Sequence, residues 1–122
     1  MTEDRDAAVL AAFFRFVAER TDRGSSPEVT AMMEELARAA DAIEATGGFT
    51  AQAGRLRITA RALAGVAGFL QQHILPEAVA AGNTDGERQV RWVIDTCMET
   101  MAALTTHAEV SGEGENYPVS LA

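Results

Sequence analysis

The sequence predicts an all-α fold, a four-helix bundle whose third helix is kinked or split near Pro76, followed by a flexible C-terminal tail. Apolar residues recur at helical spacing in four long segments of the 122-residue chain. Aromatic residues are few, at 6%, and alanine is plentiful, which favours helices packed through small side chains over a β-sandwich. The connections between the segments are short, so sequential helices are expected to run antiparallel.

The first helix is predicted from about Glu3 to Arg20, with Thr2 as its N-cap. Val9, Phe13 and Val17 follow one another at intervals of four, which gives this helix an apolar side. A short polar segment that ends in glycine is expected to terminate it.

The second helix has the clearest start signal in the chain. Ser25-Ser26-Pro27-Glu28 combines hydroxyl caps, a proline in the first turn and a glutamate that completes a capping box. Gly47-Gly48 is a strong stop signal. Between these signals, apolar side chains recur at helical spacing: Val29, Met32, Met33, Leu36, Ala40 and Ile43.

The third helix is predicted from near Thr50 to about Leu75, where Pro76 removes a backbone hydrogen bond and crowds the preceding turn. This helix has two apolar faces, which is expected of a helix that is central in its domain or shared with a partner. One face carries Leu56, Leu63, Val66, Leu70 and Ile74. The opposite face carries Ile58, Ala62, Gly65 and Phe69.

The fourth helix is predicted from Thr84 to Ala108 and opens with a capping-box pattern, Thr84 to Glu87. Its apolar seam alternates intervals of four and three: Val90, Ile94, Cys97, Met101, Leu104 and Ala108. The single tryptophan, Trp92, is expected to point away from this seam, among Arg88, Asp95 and Glu99.

Residues 1–109 are predicted to form one helical domain, and residues 110–122 a flexible tail. The alternative for the tail is docking as a short extended segment, because Tyr117, Val119 and Leu121 alternate. The expected core consists of Phe13, Val17, Met33, Leu36, Ile43, Leu56, Leu63, Leu70, Ile94, Cys97, Met101 and Leu104.

The chain carries a net charge of −8, which disfavours binding to nucleic acid and to anionic membrane surfaces. Its start, Met1 to Asp6, lacks the pattern of a signal peptide, and a single cysteine allows no internal disulfide. We therefore expect a cytoplasmic protein, of bacterial origin. All ten basic residues are arginine. Either codon bias or selection for the planar guanidinium group would explain this.

Arginines cluster at the start of the third helix, at Arg55, Arg57 and Arg61, and at the start of the fourth, at Arg88 and Arg91. In this acidic chain we expect these side chains to pair with carboxylates on neighbouring helices. The alternative is that they bind an anionic ligand or the acidic tail.

Chemical motifs are weak in this sequence. His73 and Glu77 are four residues apart, but Pro76 interrupts the face that they would share, and a metal site needs further ligands. Cys97 and Met101 are expected in the core rather than in a metal site. No catalytic, cofactor-binding or metal-binding residues are therefore proposed, and an enzyme is the less favoured class.

The leading hypothesis is an acidic protein–protein interaction module of the adaptor, chaperone or regulator type, which forms a homodimer and acts on another protein. Tryptophan, phenylalanine and arginine are typical anchors of interfaces. The expected interface residues are Trp92, Ile58, Phe69 and Arg88.

The alternative hypothesis is a helical bundle that binds an apolar or anionic small molecule between its helices. The expected pocket residues are Phe14, Met32, Phe69, Arg55 and Arg61.

Overall fold

The computed structural model describes residues 2–21, 24 and 26–120, with side chains from residue 6 onward. This part of the chain is mostly helical and includes a short antiparallel sheet. Its elements are α1 (Thr2–Arg20), α2 (Pro27–Thr46), β1 (Gly48–Ala51), α3 (Leu56–Phe69), a π-helical turn (Leu70–Ile74), α4 (Leu75–Ala80), α5 (Thr84–Ser111) and β2 (Tyr117–Ser120).

The ends of α2 confirm the hydroxyl cap, the proline and the glycine stop seen in the sequence. The capping box is not formed, because Glu28 lies only two residues after the N-cap Ser26 and pairs with Arg61. The Ser26 side chain accepts a hydrogen bond from the Val29 N–H at 3.3 Å, and Pro27 occupies the first helical turn. Gly47 ends the helix with a φ of +81°, and its N–H donates to the Ile43 carbonyl at 2.8 Å. The expected contribution of Ser25 lies outside the described residues, as does the Thr2 side chain, although Thr2 itself is helical.

The third helix begins later than expected, at Leu56 instead of near Thr50, because residues 48–51 form β1. In β1, Phe49 and Ala51 are buried while Thr50 is exposed, as expected for side chains that alternate along a strand. A turn through Gly54, with a φ of +80°, connects β1 to α3.

The hydrogen-bond pattern changes at the end of α3. The Leu75 N–H donates to the Leu70 carbonyl five residues back, which defines a π-helical turn directly before Pro76. Because proline has no N–H, the regular helical ladder is interrupted here, and α4 then continues only to Ala80.

The N-cap of α5 differs from the expected capping box. Asn83 takes that role, since its Oδ1 accepts a hydrogen bond from the Gly86 N–H at 3.0 Å. Thr84 is instead the first helical residue, and α5 continues past Ala108 to Ser111.

The expectation of a flexible tail is wrong for residues 113–120. The Gly54 N–H donates to the Glu113 carbonyl at 2.5 Å, and the Ala53 N–H donates to Asn116 Oδ1 at 2.7 Å. β2 then pairs antiparallel with β1, in a register that places Tyr117 opposite Ala51. The extended docking weighed as the alternative therefore describes 117–120, while Leu121 lies outside the described residues.

The core lies where α3 packs against α5, with α2 and α1 packed beside them. The predicted core residues that are buried are Val17, Met33, Leu36, Ile43, Leu56, Leu63, Leu70, Cys97 and Leu104. Phe13, Ile94 and Met101 are only half-buried, and their neighbours Phe14 and Val93 are buried instead. Adjacent helical positions differ by about 100°, and the buried side of α1 is rotated by roughly that angle from the predicted one. The buried side of α5 is rotated much less, because Val90, Cys97 and Leu104 of the predicted seam remain buried.

Alanine substitutions at two glycines test whether β2 pairs with β1. A Cβ atom at Gly48 would lie 2.3 Å from the Val119 carbonyl oxygen, whereas a Cβ at Gly68 in α3 would meet nothing within 4 Å. We expect Gly48→Ala to lower the free energy of unfolding by about 1–3 kcal/mol through overpacking. Gly68→Ala is the matched control and should raise it by up to about 1 kcal/mol. Urea denaturation measures both, and a neutral Gly48→Ala would contradict the paired sheet.

Candidate functional site

α5 presents two different faces along its length. The inner face enters the core with Val90, Val93, Cys97, Leu104 and Ala108. Roughly opposite lies a line of side chains whose intervals alternate four and three, so that they share one side of the helix. We call this line the outer stripe; it consists of Arg88, Trp92, Asp95, Glu99, Ala102 and Thr106.

Trp92 is the large apolar side chain of the outer stripe. It is half-buried and packs against the edge of the core, while the other members of the stripe are exposed. The expectation that Trp92 lies among Arg88, Asp95 and Glu99 therefore agrees with the helix geometry. A tryptophan in this position leaves part of a large aromatic ring in contact with water.

The charged groups of the outer stripe lack partners within the described chain. Arg88 makes neither an ion pair nor a contact over an aromatic ring, in contrast to every other described arginine side chain. Asp95 and Glu99, on the same line, make no ion pair to any described residue either. The stripe thus carries one positive and two negative charges that are available to a partner.

The other expected interface residues lie apart from Trp92. The Arg57 Nε lies 3.1 Å from Glu113 Oε1, so the start of α3 meets the end of α5 and the two helices run antiparallel. Ile58, half-buried near that end, is therefore more than about 20 Å from Trp92 along the direction of α5. The structure brings Arg88 and Trp92 together and does not bring Ile58 to them.

Phe69 is occupied within the chain. Its ring lies 6.0 Å from the Phe16 ring of α1 and 5.0 Å from the His73 ring, measured between centroids. The second apolar face of α3 is thus partly covered by α1, and Ala62 on the same face is buried.

The expected ligand-pocket residues are used in packing and ion pairs. Phe14 is 1% exposed and belongs to the core. Met32 and Phe69 pack against the core. Arg55 pairs with Glu35, and Arg61 pairs with Glu28. Shallow grooves lie elsewhere; one of about 520 Å³ is lined by Ala102, Ala103, Thr106, His107, Val110, Ser111 and Tyr117.

The arginines at the start of α3 confirm the expected pairing with carboxylates. Besides the pairs of Arg55 and Arg61 with α2, Arg57 pairs with Glu113 of the C-terminal segment. The stated alternative, docking of the acidic tail, therefore holds for Arg57. The arginines at the start of α5 do not make the expected pairs with neighbouring helices, because Arg91 pairs with Glu87 of its own helix and Arg88 makes no ion pair to a described residue.

Glu35 is a buried carboxylate that the sequence did not indicate as a site residue. It is 4% exposed, and its two carboxylate oxygens bind Arg38 of α2 and Arg55 at the start of α3. Burial, and secondarily the nearby Arg55 charge, lowers the pKa of the Arg38 guanidinium. The signal in the sequence for this buried ion pair is a glutamate next to core positions, followed by an arginine three residues later. These contacts tie α2 to α3, so their role is structural.

Cys97 has the properties of an inert thiol. It is 1% exposed, and burial raises its pKa to about 12, so the reactive thiolate does not form near neutral pH. Met98 is 46% exposed and points away from it. Within the described residues, no group of three or more histidine, cysteine or acidic side chains lies close enough together to hold a metal ion.

No helix in the described part of the chain combines the length and the apolar character needed to cross a bilayer. Comparison with known proteins gives no match to a family model, to a curated protein or to a solved structure. The candidate surface is accordingly defined by its own geometry and charges.

Removal of the Glu35 charge should weaken the junction between α2 and α3. We expect Glu35→Gln to lower the free energy of unfolding by about 2 kcal/mol, because charge-assisted hydrogen bonds to two arginines are lost in a buried position. Glu28→Gln, which breaks an exposed pair between the same helices, should cost under about 1 kcal/mol. Urea unfolding followed by circular dichroism compares them, and equal losses would contradict the role assigned to Glu35.

Proposed function

We propose that this chain is a small acidic interaction module that forms a homodimer, of the adaptor, chaperone or regulator type, with another protein as its further partner. In this proposal α1, α2, α3 and α5 form a four-helix bundle, and the segment from residue 70 to residue 80 is the bent end of its third helix. The proposed location is the cytoplasm, which suits a protein with one unpaired cysteine.

The outer stripe of α5 is the observation that carries this proposal. Trp92 exposes part of its ring on the same line as Arg88, Asp95 and Glu99, which have no ion-pair partner in the described chain. Tryptophan and arginine are the residue types that most often dominate the energy of an interface. A surface that combines an aromatic anchor with unpaired charges of both signs is well suited to bind a protein.

The alternative, a small ligand, is supported by the groove beside Tyr117. His107 lines this groove, and its Nε2 atom is buried without a hydrogen-bond partner among the described residues, with the Glu115 Oε2 atom 3.9 Å away. A ligand with a hydrogen-bonding group would satisfy that atom. Native mass spectrometry separates the two functions, since a ligand adds mass to the chain while a homodimer gives twice 13.0 kDa.

Sedimentation of the wild-type chain at tens of micromolar tests the homodimer. We expect a dimer mass and, on dilution, a shift of Trp92 fluorescence to longer wavelength as the ring becomes exposed. Trp92→Ala should raise the dimer Kd about 30-fold or more, as expected for an aromatic hot spot worth at least about 2 kcal/mol.

Val79→Ala is the matched control for Trp92→Ala. Val79 is 51% exposed and lies on α4, so it is not a member of the outer stripe and its truncation should leave the Kd unchanged. Circular dichroism of both variants verifies that they remain folded. The homodimer would be ruled out if the wild-type chain were strictly monomeric under these conditions and its Trp92 fluorescence did not depend on concentration.

A further inference from the structure

The geometry of α5 points to a specific homodimer: two copies meet through the outer stripe in an antiparallel pair, with Arg88 of each copy opposite Glu99 of the other. We infer this arrangement from the order of charges along the stripe, and it rests on the proposed homodimer. The occupant of the stripe is thus a second copy of the same chain.

The order of charges makes the stripe self-complementary in one direction only. Arg88 lies toward the N-terminal end of α5, while Asp95 and Glu99 lie two and three turns further along. A parallel pair would place Arg88 against Arg88 and Glu99 against Glu99, which is repulsive. An antiparallel pair places positive against negative, and two-fold symmetry makes each such contact twice.

The spacing of the stripe and its charges together select the register. Matching all six positions in reverse order would place Asp95 against Glu99, which is repulsive. From Arg88 to Glu99 the intervals are four, three and four, a sequence that is the same in both directions. When Arg88 lies opposite Glu99 of the second copy, Trp92 lies opposite its Asp95, so the four stripe positions from Arg88 to Glu99 meet one another. A register that matches Arg88 with Asp95 would instead place Trp92 against Arg91, which lies off the stripe and already binds Glu87 at 3.1 Å.

This register also brings the tryptophans together. The midpoint between residues 88 and 99 lies about 2 Å along the helix from Trp92, so the two indole rings lie beside the symmetry axis. Each indole N–H, a donor that needs a partner once buried, has the carboxylate of the opposite Asp95 as its acceptor. The centre of an interface is where aromatic anchors contribute most to binding.

A charge reversal and its compensation test the arrangement. Arg88→Glu and Glu99→Arg, made separately, should each raise the dimer Kd at least about tenfold, because each places like charges opposite one another twice. The double variant restores opposite charges across the interface and keeps the net charge of the wild type. Its Kd should therefore return to within about threefold of the wild-type value, measured by analytical ultracentrifugation at low salt.

Glu34→Arg controls for the change in net charge. Glu34 is exposed on α2 and makes no ion pair to a described residue, so this substitution alters the total charge as Glu99→Arg does, away from the stripe. Its Kd should not rise.

The outcomes separate this inference from the proposed function. If the wild type dimerises and both single reversals leave the Kd unchanged, the homodimer stands and the α5 arrangement is overturned. If both reversals weaken the dimer and the double variant does not recover, Arg88 and Glu99 do not face each other, and the register is overturned. A monomeric wild type overturns the proposed homodimer itself.

Discussion

The packing of α5 against α3 forms the centre of the fold. α5 has 28 residues, and its inner face supplies Val90, Val93, Cys97 and Leu104 to the core. A helix can bury only one stripe against a single layer of neighbours, so the side opposite α3 faces solvent. The chain nevertheless places Trp92 on that side, next to arginine and carboxylate groups that lack ion-pair partners among the described residues. The same packing that builds the core therefore creates the candidate interface.

Two further constraints fasten the remaining elements to this helix pair. Glu35 is buried between two arginines and holds α2 to the start of α3, where an unpaired carboxylate would be costly. At the end of α5, Glu113 and Asn116 bind the backbone of the turn after β1, and β2 completes the sheet. The C-terminal segment is thus part of the fold. At this end of the molecule, the helices are followed by a small two-stranded sheet.

The sequence was sufficient for features that depend on local chemistry. Caps, proline positions and helical spacing gave the ends of α2 and placed Arg88 near Trp92, because neighbours on one helix are fixed by its geometry. The strands were missed, since four residues carry too short a pattern and β1 depends on pairing with a distant segment. Phe13 was preferred to Phe14 because both positions are apolar and only tertiary contacts choose between them. The pattern of apolar residues on helix faces gives no positions along the bundle. It therefore did not show that Ile58 of α3 and Trp92 of α5 lie far apart.

An intermolecular distance distinguishes the proposed antiparallel pairing of two α5 helices from a parallel pairing. A spin label on Thr106→Cys reports this distance by pulsed electron paramagnetic resonance, since native Cys97 is buried and its raised pKa keeps it unlabelled. With the symmetry axis midway between residues 88 and 99, the two labels should be about 40 Å apart. A parallel pair, whose helix axes lie about 10 Å apart, would give a distance under about 20 Å. That short distance, or no measurable distance in a sample that sediments as a dimer, would rule out the antiparallel α5 pair.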